Sequence, residues 1–297
     1  MVWNDIETTS REDLRQLQDK RLRDLVAYLH DSVPFYRDTL DEADVAPGNI
    51  SGVGDLSSLP LTSKEDLRDH YPDGLFAVDK DDLRCIHASS GTTGKPKVVG
   101  YTRKDLDTWR EVMARSLVAA GVEEGELVQN AYGYGLFTGG LGVHHGCDEL
   151  GATVIPIGGG QTDRQLDFLE DLGSETLTCT PSYALYLAEQ AEERELDLRD
   201  LPLSTVIFGA EPCTDPMREA IEERLGVTGV DIYGLSEVIG PGVAIECAEA
   251  QDGLHIWEDQ FYPEIIDPET EEVLPDGEEG ELVLTTLTKE GMPVLRY

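Results

Sequence analysis

The sequence has few basic residues for its length. It contains 23 Lys and Arg against 60 Asp and Glu in 297 residues, so its formal net charge at pH 7 is −37. A protein that binds nucleic acid or an anionic membrane needs clustered Lys and Arg to neutralise phosphates. We therefore expect no nucleic acid and no membrane among its partners. The acidic residues occur in short runs along the whole chain, which is typical of a halophilic surface because molar salt screens their repulsion. An ordinary acidic protein is the alternative.

Long apolar runs and a basic leader are also missing. No stretch approaches membrane-spanning length, and the first residues lack the basic and apolar regions of a signal peptide. The five cysteines are odd in number, lie far apart and form no CxxC pair, which is typical of a reducing compartment. We expect a cytoplasmic protein without structural disulfides. Its oligomeric state is left open, with a homodimer as one alternative.

The apolar spacing predicts an α/β fold. Residues 10–30 have the pattern of an amphipathic helix capped by Ser10, and Val33-Pro34 ends it. Strand and helix patterns then alternate, which indicates a mostly parallel sheet flanked by helices. The predicted strands are 127–131, 153–157, 176–180, 205–209 and 230–233, and the predicted helices are 102–120, 163–172, 182–195 and 215–225. We expect an N-terminal helical region over 1–60, an α/β core over 61–254 and a small distal β subdomain over 255–297.

A glycine-rich segment carries the clearest chemical signal. It reads Ser89-Ser90-Gly91-Thr92-Thr93-Gly94-Lys95-Pro96-Lys97. Glycine lets main-chain N–H groups turn toward a phosphate, hydroxyls donate to its oxygens, and Lys95 supplies charge. The spacing differs from the P-loop of nucleoside triphosphatases, because Gly91 and Gly94 are too close and Pro96 follows the lysine. A flexible Ser/Gly turn is the alternative for such a loop taken alone.

The complete glycine-rich string resembles the phosphate loop of the adenylate-forming enzymes, the superfamily of acyl-CoA synthetases, luciferases and peptide-synthetase adenylation domains. Two further segments match it in order and distance: Gly209-Ala210-Glu211-Pro212 and Asp231-Ile232-Tyr233-Gly234-Leu235-Ser236-Glu237. The resemblance implies the large N-terminal α/β domain of these enzymes. It also implies that Lys95 and Glu237 are catalytic. The implied nucleotide-binding residues are Ser89, Ser90, Gly91, Thr92, Thr93, Gly94, Gly209, Ala210, Glu211, Pro212, Asp231, Ile232, Tyr233, Gly234 and Ser236.

The roles of three of these residues are chemically plausible. Tyr233 can stack on adenine, Ser236 can donate to the α-phosphate, and Glu237 can hold the Mg²⁺ that accompanies a triphosphate. Taken alone, a Tyr-Gly turn followed by Glu is an ordinary loop with a solvated acid. The combination of three matching segments favours the nucleotide site.

Within the superfamily, the chain resembles the phenylacetate-CoA ligase family over nearly its whole length, including residues 33–37, 132–140 and 255–259. The resemblance implies ATP-dependent ligation of phenylacetate, or a similar aryl acid, to coenzyme A through an acyl-adenylate. ATP and Mg²⁺ would be its cofactors and coenzyme A a co-substrate. The implied pocket for the aryl ring is formed by Tyr132, Phe137, Ala210, Ile232 and Pro241. Aromatic residues at alternate positions by themselves favour a strand that packs into a core.

The family continues beyond Tyr297 into an Arg-Thr-x-Asp segment and a mobile C-terminal lid domain. We therefore expect a truncated ligase whose activity alone is impaired. One alternative is an adenylating enzyme for another aromatic acid or a deazaflavin cofactor, and another is a non-catalytic fragment that binds a nucleotide or an aryl acid. His144-His145 is interpreted as structural or pocket-lining and 158–160 as a flexible connection. Whether Cys247 and His255 bind zinc with downstream ligands is left open.

Overall fold

A computed structural model describes residues 2–89 and 96–297, and in this part the chain forms α-helices, β-strands and short 3₁₀ turns. The helices are α1 Arg11–Ser32, α2 Pro34–Glu42, α3 Lys64–Asp69, α4 Arg103–Ala119, α5 Thr138–Leu150, α6 Thr162–Leu172, α7 Pro181–Glu193 and α8 Asp215–Leu225. The strands are β1 Cys85–Ala88, β2 Val98–Tyr101, β3 Leu127–Asn130, β4 Thr153–Ile155, β5 Thr176–Cys179, β6 Thr205–Gly209, β7 Thr228–Leu235, β8 Gly240–Ile245, β9 His255–Ile256, β10 Phe261–Ile266 and β11 Glu281–Thr286.

The first of two compact units consists mainly of Thr108–Leu235 and Ile239–His255. Its sheet has the strand order β4-β3-β5-β6-β7-β8-β9. Strands β3 to β7 are parallel, whereas β8 runs antiparallel to β7. Helices α5 to α8 occupy the connections between successive parallel strands. The sequence prediction of a largely parallel sheet flanked by helices is confirmed.

The core of the first unit is built on the central strands. Strands β5 and β6 are buried at every position, as expected for parallel strands covered on both faces. Their side chains pack with the apolar faces of α7 and α8; the cluster includes Leu177, Val206, Phe208, Leu187 and Ile221. Strand β6 pairs in parallel with β7, so the carboxyl ends of the two strands lie side by side.

The second unit consists of Asp5–Asp107, Ser236–Val238 and Ile256–Tyr297. It contains α1 to α3, an antiparallel pair of β1 with β2 and an antiparallel pair of β10 with β11. The Ser10 hydroxyl caps α1 by accepting the N–H of Asp13 at 3.1 Å, and the helix ends at Ser32 before Pro34 begins α2. The predicted N-cap and the predicted end of this helix are confirmed.

Helix α5 and strand β8 were not predicted from the sequence. Helix α5 contains several glycines, which lower helix propensity, but two of them are required by close packing within the first unit. A Cβ atom at Gly142 would lie 2.5 Å from Pro241 Cγ, and one at Gly146 would lie 2.6 Å from Met113 Cβ. Strand β9 extends the large sheet and does not pair with β10 or β11. The segment boundaries after residues 60 and 254 stay predictions.

Within residues 2–89 and 96–297, no helix combines the length and the apolar character needed to cross a lipid bilayer.

Candidate functional site

The carboxyl ends of β6 and β7 form a cavity in the first unit. Gly209 at the end of β6 lies opposite Ile232 on β7, and ligands of open parallel sheets bind beyond such strand ends. The cavity has a volume of about 330 Å³. Its lining residues are Ala210, Glu211, Pro212, Asp231, Ile232, Tyr233, Gly234 and Leu254. All of these except Leu254 were predicted from the sequence to bind the nucleotide.

Two glycines allow the main chain to approach closely at this edge. A Cβ atom at Gly234 would lie 1.8 Å from the carbonyl oxygen of Gly240, and one at Gly209 would lie 2.2 Å from the carbonyl oxygen of Ile232. No side chain can be added at either position without moving a strand. Ala210 follows Gly209 with φ 70°, in the left-handed region that few alanines adopt. The turn after β6 is therefore shaped by the main chain.

Glu211 and Tyr233 differ in how they face the cavity. The Glu211 carboxylate accepts the N–H of Ser182, in the first turn of α7, at 2.7 Å. A carboxylate at a helix N-terminus is favoured by the helix dipole, so this contact anchors the turn. The Tyr233 side chain is 36% exposed at the cavity. Glu211 is thus held by the protein, whereas the Tyr233 ring is partly accessible to a ligand.

Asp231 lies beside a buried ion pair beneath the cavity. Arg218 of α8 donates two hydrogen bonds to Glu246, at 2.8 and 2.9 Å. Glu246 also accepts the N–H of Asp231 at 2.8 Å. Burial raises the pKa of the Asp231 carboxyl to about 6; Glu246 adds to the rise and Arg218 opposes it. The charged form of Asp231 is therefore disfavoured in the folded protein.

This pKa gives a pH-dependent prediction. A carboxyl whose pKa is higher in the folded than in the unfolded state loses stabilisation as the pH rises through the interval between the two values, here from about 4 to about 6. Asp231→Asn cannot ionise and escapes this loss. Denaturant titrations in molar KCl measure the free energy of unfolding of Asp231→Asn and of the unaltered chain. The value for Asp231→Asn minus the value for the unaltered chain should increase from pH 4 to pH 7.

Asp197→Asn is the matched control for Asp231→Asn. Hydrogen bonds from Arg199 lower the pKa of Asp197 to about 2, so its shift has the opposite sign. The free energy of unfolding of Asp197→Asn, relative to the unaltered chain, should therefore fall as the pH rises from about 2 to about 4. A pH-independent difference between Asp231→Asn and the unaltered chain would contradict the position assigned to Asp231.

The residues predicted to surround an aryl ring differ in exposure. Tyr132 is buried, and its hydroxyl donates to the carbonyl of Cys179 at 2.5 Å. Burial raises its pKa above the usual range. Phe137 is 47% exposed just before α5, and the carbonyl of Pro241 accepts the Trp109 indole N–H at 3.0 Å. Ala210 and Ile232 line the cavity described above. Their joint role as an aryl pocket stays a prediction.

Glu237 is the centre of a polar cluster in the second unit. It is 3% exposed, and its carboxylate forms an ion pair with the ammonium of Lys97. The Tyr297 hydroxyl donates to the same carboxylate at 3.3 Å. Burial and the charge of Glu237 raise the pKa of Tyr297 above its usual range. Glu237 is thus a carboxylate with a matched cation at a largely buried position.

The main chain beside Glu237 is also held by polar side chains. Lys289 donates to the Glu237 carbonyl at 2.7 Å, and Tyr101 donates to the Ser236 carbonyl at 3.0 Å. Burial lowers the pKa of Lys289 to about 8, although Asp105 and Glu237 oppose the shift. The sequence analysis assigned no role to Lys97, Lys289, Tyr101 or Tyr297. Lys97 was visible as the last residue of the glycine-rich string, whereas nothing in the sequence marked the others.

The rest of the predicted phosphate loop is only partly described. Ser90, Gly91, Thr92, Thr93, Gly94 and Lys95 lie outside the described residues. Ser89 donates its N–H to the carbonyl of Lys97 at 3.0 Å, so the two ends of the loop are paired. The role of Glu237 as a Mg²⁺ ligand stays a prediction, and no group of three or more His, Cys, Asp or Glu suited to a metal occurs in residues 2–89 and 96–297.

Comparisons with known proteins agree with this geometry. The sequence profile of the family described as AMP-binding enzyme matches residues 6–287. The phenylacetate-coenzyme A ligase of Thermus thermophilus is 56% identical over 297 residues, which is 100% of this chain and 67% of that protein. The corresponding ligase of Escherichia coli is 53% identical over 294 residues, 98% of this chain and 67% of its own length.

A solved structure agrees as well. The crystal structure of 2-hydroxyisobutyryl-CoA ligase in an open conformation, in complex with 2-HIB-AMP and CoA, gives a TM-score of 0.93 at 27% identity. The alignment covers 98% of this chain and 70% of that one. This chain spans about two thirds of the length of the curated relatives. Because the profile and the relatives match it nearly from end to end, the chain belongs to the family of AMP-binding enzymes that contains the phenylacetate-coenzyme A ligases.

Proposed function

We propose that this chain binds Mg-ATP and an aryl acid, phenylacetate or a close analogue, and joins them as an acyl-adenylate for transfer to coenzyme A. The observation that carries the proposal is the cavity at the ends of β6 and β7, which brings together seven residues predicted to bind the nucleotide. The names of the Thermus thermophilus and Escherichia coli relatives support phenylacetate and coenzyme A as the substrates.

The cavity suits the adenine part of ATP. Its volume of about 330 Å³ lies within the range of small-molecule sites. The accessible face of Tyr233 can stack on a purine, and the main-chain turn at Ala210 can close over the opposite side. Gly209 and Gly234 keep the edge of the sheet free of side chains that would fill this space.

Glu237 and Lys97 suit the triphosphate. Mg²⁺ is usually held by one or two carboxylates together with substrate phosphates, so a single Glu237 carboxylate meets the requirement. Bound there, Mg²⁺ would neutralise phosphate charge. Lys97, whose ammonium forms an ion pair with that carboxylate, would donate to a phosphate oxygen. Ser236 would donate to the α-phosphate. The catalytic role of Lys95 is part of the same proposal.

The reaction is one of positioning and charge neutralisation. An oxygen of the acid carboxylate attacks the α-phosphorus, the bond from that phosphorus to the bridging oxygen breaks, and pyrophosphate leaves. The coenzyme A thiol then attacks the acyl carbon, loses its proton and displaces AMP. Neither step needs a nucleophile from the protein, so groups that hold and orient the reactants suffice.

The remaining assignments extend this proposal. The aryl ring would contact Tyr132, Phe137, Ala210, Ile232 and Pro241. The hydrogen bond from the Tyr132 hydroxyl to the carbonyl of Cys179 would fix the orientation of the Tyr132 ring. We also propose a cytoplasmic protein from the number and spacing of its cysteines, with a homodimer as one alternative for its assembly.

The test is a calorimetric titration with ATP and Mg²⁺ in molar KCl, with and without phenylacetate. We expect saturable binding that phenylacetate strengthens, and pyrophosphate release when both substrates are present. A titration with GTP is the control, because guanine has a purine ring that can stack like adenine but carries different hydrogen-bonding groups on its edge. Absence of saturable ATP binding by a folded sample would overturn the proposal.

A further inference from the structure

The segment Ser236–Val238 is held at two successive carbonyl groups. The Tyr101 hydroxyl donates to the Ser236 carbonyl at 3.0 Å, and the Lys289 ammonium donates to the Glu237 carbonyl at 2.7 Å. These donors come from parts of the chain far from Glu237 in sequence. Ser236 and Glu237 are the two residues of this segment that the proposed function places on the triphosphate and its cation.

The two donors also contact each other. The Lys289 ammonium lies 5.0 Å from the centre of the Tyr101 ring, within the range of a cation–π interaction. Tyr101 is fully buried and Lys289 is 5% exposed. Tyr101 and Lys289 therefore pack against each other, while Tyr101 binds the carbonyl of Ser236 and Lys289 binds that of Glu237.

The turn that carries Lys289 is fixed in its own right. The Asp105 carboxylate accepts the N–H groups of Glu290 and Gly291 at 2.6 and 2.8 Å. Asp105 belongs to the first turn of α4, and it also accepts the N–H of Thr102 at 2.9 Å. The main chain that follows Lys289 is thus held by a buried carboxylate other than that of Glu237.

The main chain and the side chain of Glu237 are held by different groups. Lys289 binds its carbonyl, whereas Lys97 and Tyr297 contact its carboxylate. A buried ammonium is costly to desolvate, and an apolar side chain of similar volume would fill the same space at a lower cost. The hydrogen bond from Lys289 to the carbonyl of Glu237 gives a reason for a lysine at this buried position.

We propose that Tyr101 and Lys289 are positioning residues, which fix the main chain at Ser236 and Glu237 so that the Glu237 carboxylate is presented to the metal–triphosphate. This inference rests on the proposed function and deepens it. Groups that orient a metal ligand, without touching the metal, typically change metal affinity or activity by about 10- to 100-fold when they are removed.

The test uses Lys289→Met and Tyr101→Phe in the full chain. Calorimetry measures the affinity for ATP in Mg²⁺ and in EDTA. The readout is the affinity in Mg²⁺ divided by the affinity in EDTA. We expect each variant to lower that ratio about tenfold, with little change in the Mg-free affinity. Tyr36→Phe is the matched control, because Tyr36 is equally buried but its hydroxyl bonds Thr62 at 3.1 Å and the N–H of Leu295 at 3.3 Å instead of a carbonyl of Ser236 or Glu237.

The outcomes separate this inference from the proposed function. A merely structural role predicts equal losses of stability in Tyr101→Phe and Tyr36→Phe with an unchanged ratio, and that result would overturn the inference while leaving the nucleotide site intact. If Lys289→Met does not fold, Tyr101→Phe decides, because it removes a single oxygen. Failure of the unaltered chain to bind Mg-ATP would overturn both.

Discussion

Replacing Glu237 with glutamine is expected to weaken the binding of Mg-ATP about 30-fold. Two unit charges 4 Å apart near a protein surface interact by about 4 kcal/mol, and the loss of even half of that changes a Kd by roughly 30-fold. The affinity measured in EDTA should not fall, because the variant removes a negative charge and releases Lys97 from its ion pair. The measurement is a pair of calorimetric titrations with ATP, with and without Mg²⁺.

Glu258→Gln is the control for this experiment. Glu258 also pairs with a cation, Arg11 at 2.8 Å, and its carboxylate accepts a hydrogen bond from Gln18 at 3.4 Å, so the partners described for it lie on α1. Its variant should keep the full effect of Mg²⁺ on ATP binding. If Glu237→Gln binds Mg-ATP as tightly as the unaltered chain, then Glu237 is not the cation ligand and the triphosphate part of the proposal is wrong.

Replacing Glu246 with alanine is expected to lower the free energy of unfolding by about 3 kcal/mol. Removal of one partner from a buried ion pair leaves an uncompensated charge, which typically costs about 3 to 5 kcal/mol. The lower end applies here because the Arg218 side chain keeps 21% exposure to water. The N–H of Asp231 loses its acceptor as well. Denaturant titration in molar KCl measures the change.

Glu192→Ala is the matched control. Glu192 pairs at 2.9 Å with Arg224, which lies on the same helix as Arg218. The Glu192 side chain, however, is 65% exposed. Exposed pairs contribute about 0 to 1 kcal/mol, so this variant should be nearly as stable as the unaltered chain. Equal losses in the two glutamate variants would mean that burial does not set the strength of the Arg218–Glu246 pair.

The α/β class could be predicted because its signals are local. Strand β6 is short, has apolar residues at the successive positions Val206 to Phe208 and is bounded by turn residues, which is typical of a strand covered on both faces. Ser10, Thr180 and Thr214 cap the helices that follow them through bonds to residues three positions away. Such contacts span one turn of chain, so residue order is enough to find them.

Elements whose cause is non-local could not be predicted. Helix α5 depends on Gly142 and Gly146, which weaken it as an isolated helix and allow it to approach Pro241 and Met113. Strand β8 exists through its pairing with β7, including the bulge at Tyr233 and Gly234. Propensity alone gives no reason to expect either element.

The candidate site divides along the same line. Tyr233, Ser236 and Glu237 could be proposed from the sequence because residue types in a fixed order indicate their chemistry, and a short motif retains that order. The pairing of Glu237 with Lys97, the bond from Lys289 to its main chain and the Arg218–Glu246 pair beneath Asp231 join residues 28 to 140 positions apart. The sequence by itself determined which chemical groups are present and which local elements carry them. Their charges, pKa values and orientation were decided by the tertiary structure, because these depend on burial and on partners that come together only when the chain folds.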